Sequence, residues 1–397
     1  MRAEAGSLDI EVTPSEGSRV SGGRGDERVL APIKQKVKGA AMDAKIFVQI
    51  LEIAFSKKVS DVHFETDNPP FFRGKGQIIR SKLPNLTAED TEFIATQIMT
   101  HNNRRWESDQ KEFDTSFSLP SGARFRVSIF RQRGNFGIIM RVIPANIGTF
   151  EELRLPPVLG EIVKAPNGLI LVTGPTGNGK STTLASMLRY INENFSYNCI
   201  TIEDPIEFLF SSQKSCIIQR EVGIDTDSFS SALRAALRMD PDLIMVGEMR
   251  DTDTIDACLM AAETGHLVLS TLHTQGAVST INRIVGHFPP EAQEIVRQRL
   301  ADILVATVSI RLVMNKSGEY ILPALEIMRA TTTIQSCIRE GRLDEIEAHM
   351  ENSRSQYQMQ TLDQHLIQLH EQEQITMEDA KRLSHSMDLE RKLMFTN

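Results

Sequence analysis

The segment 174–181 has residue types and a spacing that hold phosphate. It reads Gly-Pro-Thr-Gly-Asn-Gly-Lys-Ser and satisfies the pattern Gly-x4-Gly-Lys-Ser/Thr in full. Glycines let a loop curl so that successive backbone N–H groups face one anion. A helix that begins at the end of the loop adds the positive end of its dipole. The alternative for these residues is a glycine-rich turn that binds nothing.

The flanking residues favour the phosphate-binding interpretation. The apolar run Leu169 to Val172 predicts a strand before the loop, and a helix is expected from Thr182 to Asn192 after it, which is the context that the motif requires. In such a site the lysine bridges the β- and γ-phosphates of a nucleotide, and the serine hydroxyl binds Mg²⁺. The residues that we expect to hold nucleotide and metal in this way are Gly174, Pro175, Thr176, Gly177, Asn178, Gly179, Lys180, Ser181 and Thr182.

Carboxylates follow two more predicted strands. Glu248 lies just after the apolar run Leu243 to Val246, and the segment Thr201 to Phe208 places three acids around a proline. Downstream of a phosphate loop, a strand-end carboxylate holds the water shell of Mg²⁺ or polarises a water molecule, which is the role that we expect for Glu248. We expect Glu207 to be the general base that aligns water for in-line attack on the γ-phosphate. The alternatives are a solvated strand end and an acidic surface loop.

Two histidines, His266 and His273, flank a further apolar strand. They are seven residues apart at its two ends, too far for one metal ion to bind both without another ligand. A metal site is therefore not expected, and we interpret the pair as phosphate-sensing or packing residues.

The composition excludes several classes of protein. The 397 residues carry 44 Lys and Arg against 52 Asp and Glu, a net charge of −8, which disfavours a nucleic-acid binder. The densest apolar stretch, Leu300 to Met314, contains Asp302 and Arg311, so it falls short of the ~18 apolar residues of a membrane helix. The N-terminus lacks a signal-peptide pattern, so a cytoplasmic location is expected. The cysteines form no Cys-x-x-Cys pair, so neither a zinc site nor a disulfide framework is expected.

The patterning changes along the chain. Residues 1–41 are rich in Gly, Ser, Glu and Arg and predict a flexible tail. Apolar residues at helical spacing from Ile46 to Ala54, followed by alternating segments, predict a small α+β domain. The capping patterns at Thr149 and Thr376 each predict the start of a helix. From Gly168 onward, short apolar runs alternate with helical patterns, as in a mostly parallel sheet.

The phosphate loop, the acidic segment, the strand acid and the histidine-bearing strand occur together and in the order seen in the secretion ATPase superfamily of bacterial motors. The sequence most closely resembles the type IV pilus retraction motors, from about Met42 to the C-terminal region. Ser60 to His63 and Pro69 to Gly76 resemble parts of that family's N-terminal PAS-like domain.

The resemblance implies an α/β fold class, with an N-terminal PAS-like α+β domain followed by a RecA-like P-loop ATPase domain with a C-terminal helical subdomain. The boundaries that we predict are 1–41 for the tail, 42–145 for the PAS-like domain, 146–160 for a linker, 161–329 for the ATPase domain and 330–397 for the helical subdomain.

The resemblance also implies roles for individual residues. It assigns the catalytic glutamate to Glu207 and the strand acid, with Mg²⁺ through water, to Glu248. It places His273 among the catalytic residues and His266 among the nucleotide-binding ones. The arginines that such motors swing toward the nucleotide, as arginine fingers, correspond to Arg124, Arg126 and Arg141. The alternative for these arginines is an exposed position on surface strands.

The expected function is that of a hexameric cytoplasmic motor that hydrolyses ATP, with Mg²⁺, to retract type IV pili. Its implied partners are five further copies of the chain and an inner-membrane platform protein of the pilus, with a paralogous motor as an open alternative, and without nucleic acid or direct membrane insertion. The alternatives are a pilus assembly or secretion motor, a nucleic-acid translocase and a non-catalytic regulatory subunit.

Departures from the family pattern also leave open an accessory retraction paralogue or a motor in a related pilus system. Asn178 stands where the family has Ser, and Ile310 stands where it has Gln. The segment Thr333 to Glu340 lacks the Arg-Asn-Leu centre of the retraction motif, and Gln358 to Thr361 replaces a glycine-led version.

Overall fold

The computed structural model describes residues 42–74, 77–102, 104–107, 109–144, 146–384 and Leu389. The predicted tail 1–41, and Lys75 and Gly76 of the segment that resembles the PAS-like domain, lie outside the described residues. The chain divides into two compact units, Met1–Ala145 and Asn146–Asn397. Among the described residues, no helix combines the length and the apolar character that crossing a bilayer requires.

The first unit is an antiparallel sheet covered by two helices. Its six strands lie in the order β3-β2-β1-β6-β5-β4. Phe47 of the first helix packs on Phe64 of the first strand, with ring centroids 5.7 Å apart, in a core that also holds the apolar face of the second helix. The elements are α1 (Ala44–Ser56), β1 (Asp61–Glu65), β2 (Phe71–Gly74), β3 (Gln77–Arg80), α2 (Ala88–His101), β4 (Glu112–Ser118), β5 (Arg124–Gln132) and β6 (Asn135–Ile143).

The second unit is built on a seven-stranded sheet in the order β13-β12-β7-β11-β10-β8-β9. All neighbours pair in parallel except β12 and β13, which form an antiparallel ladder of nine residue pairs. Its elements are α3 (Val158–Ile162), β7 (Gly168–Thr173), α4 (Lys180–Asn194), β8 (Asn198–Glu203), β9 (Cys216–Glu221), α5 (Phe229–Ala236), β10 (Leu243–Val246), α6 (Thr252–Glu263), β11 (Leu267–Leu272), α7 (Ala277–Gly286), α8 (Gln293–Ile303), β12 (Leu304–Met314), β13 (Ile321–Arg329), α9 (Thr332–Glu340), α10 (Ile346–Asn352), α11 (Arg354–Tyr357), α12 (Leu362–Glu371) and α13 (Met377–Leu383), with 3-10 turns at Pro290–Ala292 and Leu343–Glu345.

The central strands of this sheet follow from their apolar runs. Every residue of β7, β10 and β11 is buried, which is typical of parallel strands covered on both faces. Their pairing register brings Thr173 opposite Leu272 and Val246 opposite Ile202. The strands therefore end along one edge, where α/β sheets bind their ligands.

The prediction that a helix begins at Thr149 is wrong. Thr149 and Glu152 do exchange the two hydrogen bonds of a capping box, at 2.8 and 3.1 Å. The residues that follow nevertheless form turns, and a helix begins only at Val158. Pro156 and Pro157 explain the difference, because a residue that precedes a proline is disfavoured in the helical conformation. The helix predicted after Thr376 is confirmed as α13.

The C-terminal helices pack on the sheet through β13. The imidazole Nδ1 of His365, on α12, accepts the backbone N–H of Leu325 at 2.9 Å. Burial lowers the pKa of His365 to about 4, so the ring is neutral at physiological pH and its Nδ1 can accept. Leu366 and Ile367 of the same helix join a core with Leu322 of β13.

Candidate active site

The phosphate loop adopts a conformation that depends on its glycines. Gly174 has a φ of +144°, and a Cβ there would lie 2.3 Å from the carbonyl oxygen of Ile310 on β12. Gly179 has a φ of +84° and caps the start of α4. Side chains at these two positions would be strained, and at Gly174 one would also push the loop away from the sheet. The loop between β7 and α4 thus has the shape that the sequence motif predicts.

Lys180 folds back over the loop. Its side-chain nitrogen donates to the carbonyl oxygens of Gly174 at 2.9 Å and Pro175 at 3.1 Å. Burial lowers the pKa of Lys180, while the charges of Glu248 and Glu207 raise it. Its hydrogen-bond acceptors are neutral, so the ammonium retains charge for an anion on the loop. Both carboxylates predicted to be functional lie close enough to influence its charge.

His273 links the loop to the strand acid. Its Nδ1 lies 3.2 Å from the Thr176 hydroxyl and 3.4 Å from the Lys180 nitrogen, and its Nε2 lies 3.3 Å from a Glu248 oxygen. A lysine ammonium can only donate, so Nδ1 accepts and Nε2 carries the proton that bonds Glu248. His273, Glu248 and the loop therefore form one hydrogen-bonded group at the carboxyl edge of the sheet.

Arg250 is a member of this group that the sequence analysis did not identify. Its guanidinium forms an ion pair with Glu248, and that hydrogen bond raises the pKa of Arg250. The side chain of Glu248 contacts both His273 and Arg250, and it is 15% exposed to solvent. The spacing Glu-x-Arg after a buried strand was the available signal.

The acidic segment at the end of β8 contains a buried acid, the last residue of the strand, and exposed ones after it. Glu203 accepts hydrogen bonds from Thr201 at 2.7 Å and Gln219 at 3.2 Å, and burial raises its pKa. Its second oxygen accepts the backbone N–H of Glu207 at 3.3 Å. Glu207 itself is exposed. Glu203 thus anchors the backbone of the residue predicted to act as the base, a role that the sequence analysis did not assign.

The donor atoms at this edge fit Mg²⁺. Ser181 and Thr182 lie half-buried in the first turn of α4, directly after Lys180. A serine hydroxyl and the carboxylate of Glu248 are oxygen donors, which Mg²⁺ prefers, usually with several waters retained. Ser181 would hold the metal directly, and Glu248 would do so through water.

The structure does not bring His266 to the phosphate loop of its own chain. His266 precedes β11 and its backbone oxygen accepts the N–H of Gly168, the first residue of β7. The whole of β11, roughly 20 Å of strand, separates it from His273. Its Nδ1 bonds the Ala261 carbonyl oxygen at 3.0 Å. This placement agrees with the packing alternative.

The three arginines predicted to reach the nucleotide lie on one face of the first unit's sheet. Arg124 and Arg126 alternate with buried residues along β5. In the sheet register Arg126 lies opposite Arg141 of the neighbouring strand β6. Arg124 donates to Ser116 at 2.9 Å, and Arg141 donates to Asp61 at 3.0 Å. The arginines therefore face away from the core, and their role toward the nucleotide stays a prediction.

The helical end of the chain contains a cluster that cysteine spacing did not reveal. Ligand atoms of Cys337, Glu345 and His349 lie within 4.8 Å of one another. The guanidinium of Arg342 forms an ion pair with Glu345 at this place. A cation of the chain therefore already compensates the carboxylate.

Comparison with known proteins agrees with this geometry. A family model described as type II/IV secretion system protein matches residues 36–390. A twitching motility protein of Neisseria gonorrhoeae is 44% identical over 79% of this chain and 83% of its own length. The type IV pilus retraction ATPase PilT of Pseudomonas aeruginosa is also 44% identical, over 83% of this chain and 96% of its own length.

The fold also matches a solved structure, that of the pilus retraction motor PilT with bound ADP. The TM-score is 0.80 and the identity 46%, over 87% of this chain and 98% of that chain. The match confirms the expected fold class. The chain is an ATPase of the type II/IV secretion system protein family.

Proposed function

We propose that the chain is the motor that retracts type IV pili, converting ATP hydrolysis into pilin depolymerisation and twitching motility. The observation that carries the proposal is its similarity to two relatives named for twitching motility and pilus retraction, over 83% and 96% of their lengths. The hydrogen-bonded group formed by Lys180, Glu248 and His273 supplies the chemistry that such a motor needs.

Hydrolysis in this proposal uses residues of the second unit. The loop and Lys180 bind the phosphates, while Ser181 and Glu248 hold Mg²⁺, which supplies charge neutralisation on the γ-phosphate. Glu207 aligns the attacking water, with its backbone fixed by Glu203. His273 senses the phosphates through Thr176 and Lys180.

The proposed assembly is a ring of six copies in the cytoplasm. It would act on the pilus through an inner-membrane platform protein, with Arg124, Arg126 and Arg141 supplying positive charge to the transition state. The exposed positions of Arg126 and Arg141 on one sheet face support this use. The domain boundaries predicted from the sequence, with a linker at 146–160, belong to the same proposal.

Deletion of the gene tests the proposal. A retraction motor's absence leaves surface fibres in excess and abolishes twitching, and both defects are reversed by the wild-type gene but not by Lys180→Ala. A bald deletion strain would contradict retraction and indicate an assembly motor. A matched Lys164→Ala variant, altered at an exposed lysine, should complement fully.

An accessory retraction motor is the second candidate. It is favoured by α9, whose centre carries Ser336 and Cys337 in place of the retraction motif, with Ser336 bonded to Glu340 at 2.7 Å. Expression in a strain that lacks every other retraction motor separates the two. Restored twitching indicates an autonomous motor, whereas restoration only beside a second motor indicates the accessory role.

A further inference from the structure

A half-buried carboxylate on β13 holds the beginning of α7. Glu326 lies opposite Ser309 of β12, and its Oε1 accepts the backbone N–H of Ala277 at 2.6 Å. Helix α7 has no side-chain cap from its own preceding residue, Gly276. The first backbone donors of a helix need partners, and here one partner comes from a strand 49 residues away in sequence.

The neighbouring strand β12 holds Gln275, two residues before the helix. Arg311 of β12 donates to the side-chain oxygen of Gln275 at 2.9 Å, and the charges of Arg311 and Glu326 act on each other. Gln275 and Ala277 are thus fixed from two neighbouring strands. His273, which meets the phosphate loop, lies two residues before Gln275, so the segment 273–276 leads directly into these anchored positions.

The ionised form of Glu326 lowers the stability of the folded chain. Burial raises the pKa of Glu326 to about 7; Glu347 on α10 and Asp363 on α12 also raise it, while the Ala277 amide and Arg311 lower it. A folded pKa above the unfolded value means that the folded chain binds more protons, so this group's contribution to stability falls as the pH rises from about 4.5 to about 7. A neutral amide would avoid this loss.

A cavity adjoins the carboxylate. It has a volume of about 330 Å³, and its lining includes Gln275, Ser279, Glu326, Glu347, Met350 and Asp363. Glu326 is therefore not enclosed by apolar packing on that side, and a carboxylate-to-amide change meets no steric barrier there. An acid kept at a cost to stability, and bonded to a residue four positions after His273, is a candidate for a functional role.

We infer that Glu326 is a positioning residue of the ATPase site, which sets the segment 273–276 through Ala277, beside the anchor that Arg311 provides at Gln275, so that His273 meets Thr176 and Lys180. Its ionised form holds the amide more strongly, because hydrogen bonds to a charged acceptor are the stronger ones and a negative charge is favoured at a helix N-terminus. Turnover should therefore rise as Glu326 loses its proton. The inference rests on ATP hydrolysis at this site and not on the fibre that the motor moves.

The experiment compares purified full-length wild type, Glu326→Gln and Glu347→Gln between about pH 6 and pH 8.5. Steady-state ATPase activity, binding of a fluorescent ADP analogue and thermal unfolding are measured on each. In Glu326→Gln we expect kcat/KM about tenfold below wild type at the alkaline end and within about twofold at the acid end. Its melting temperature at alkaline pH should equal or exceed that of wild type.

Glu347→Gln removes a charge that raises the pKa of Glu326, so its pH profile should keep the wild-type shape and amplitude but move toward lower pH. Parallel pH profiles of wild type and Glu326→Gln would overturn the inference, as would an activity loss that is uniform in pH and accompanied by a lower melting temperature. If wild type binds the ADP analogue but hydrolyses no ATP, the proposed motor function fails, and the pH profile of analogue binding still tests the role of Glu326.

Discussion

The side chain of Asn178 joins the phosphate loop to strand β12, because its Oδ1 accepts the backbone N–H of Leu312 at 2.9 Å. The neighbouring strand β7 ends opposite Ser309, so β12 continues past it and the asparagine takes the place of the missing partner. The Nδ2 of Asn178 donates to Thr176 within the loop at 3.3 Å. A position that departs from the family pattern therefore tethers the loop to the sheet.

Replacement of Asn178 by Ser should loosen this tether. The shorter side chain does not reach Leu312, so a half-buried N–H loses its partner at a cost of about 1 kcal/mol. We expect a lower free energy of unfolding by that amount and a KM for ATP raised a few-fold with kcat retained. Denaturant unfolding and steady-state kinetics measure both, and Asn194→Ser, at an exposed helix end, is the control. An unchanged KM would show that the tether has no role in nucleotide binding.

Lys180→Ala should abolish catalysis without unfolding the chain. The substitution removes the charge that faces the phosphates, and we expect ATPase activity to fall at least about a hundredfold. The lysine is buried against neutral acceptors, so its removal should leave the melting temperature near the wild-type value. A large fall in melting temperature would mean that the lysine serves the fold instead.

Substitutions at Glu203 and Glu207 should affect different quantities, the free energy of unfolding at Glu203 and kcat at Glu207. Glu207→Gln removes the proposed base from an exposed position, so kcat should fall while ADP affinity and the free energy of unfolding stay unchanged. Glu203→Ala removes the acceptor of Thr201 and Gln219 in the interior, and it should lower the free energy of unfolding by about 2 kcal/mol. Asp204→Asn, at an exposed neighbour, is the control. A full loss of kcat in Glu203→Gln with none in Glu207→Gln would exchange their roles.

His365 should contribute to acid lability. Its folded pKa of about 4 lies below the ordinary histidine value of 6.5, so the unfolded chain binds more protons between these values. The stability is complete above about pH 6.5 and is lost as the pH falls toward 4, by roughly 3 kcal/mol. Urea unfolding of wild type and His365→Gln at a series of pH values measures this loss, with His370→Gln on the same helix as control. Equal pH slopes in wild type and His365→Gln would contradict the prediction.

Arg126 should act on turnover and not on folding. The side chain is exposed on the outer face of β5, so Arg126→Gln should keep the melting temperature. If it serves as an arginine finger, ATPase activity of the assembled protein should fall at least about tenfold. Arg133→Gln, at an exposed turn of the same sheet, is the control. Equal activities in the two variants would assign Arg126 to the surface.

The parts of the fold that the sequence predicts are those with local signals. The run Leu169 to Val172, the phosphate loop and the following helix each carry a period or a motif, and all three form as expected. The prediction of a helix at Thr149 is wrong, and the prolines at 156 and 157 already argue against that helix in the sequence. Strand direction also distinguishes the histidines, because only His273 follows the carboxyl end of β11.

The remaining site residues depend on tertiary contacts that no local pattern encodes. Asn178 and Leu312 are 134 residues apart, and Glu326 lies 49 residues from Ala277. The inward-facing acid at the end of β8, Glu203, is bonded to Gln219 of the neighbouring strand. Residues that hold the site in place are therefore harder to predict than residues that perform its chemistry.

The antiparallel ladder of β12 and β13 has a mechanical consequence. The phosphate loop contacts β12 through Ile310 and Leu312, and the C-terminal helices attach to β13 through Leu325. A load that pulls those helices along the strand direction acts on all nine residue pairs in shear. Such a ladder cannot slip by one residue without turning its buried side chains to the opposite face, so the connection should yield as a whole or remain intact.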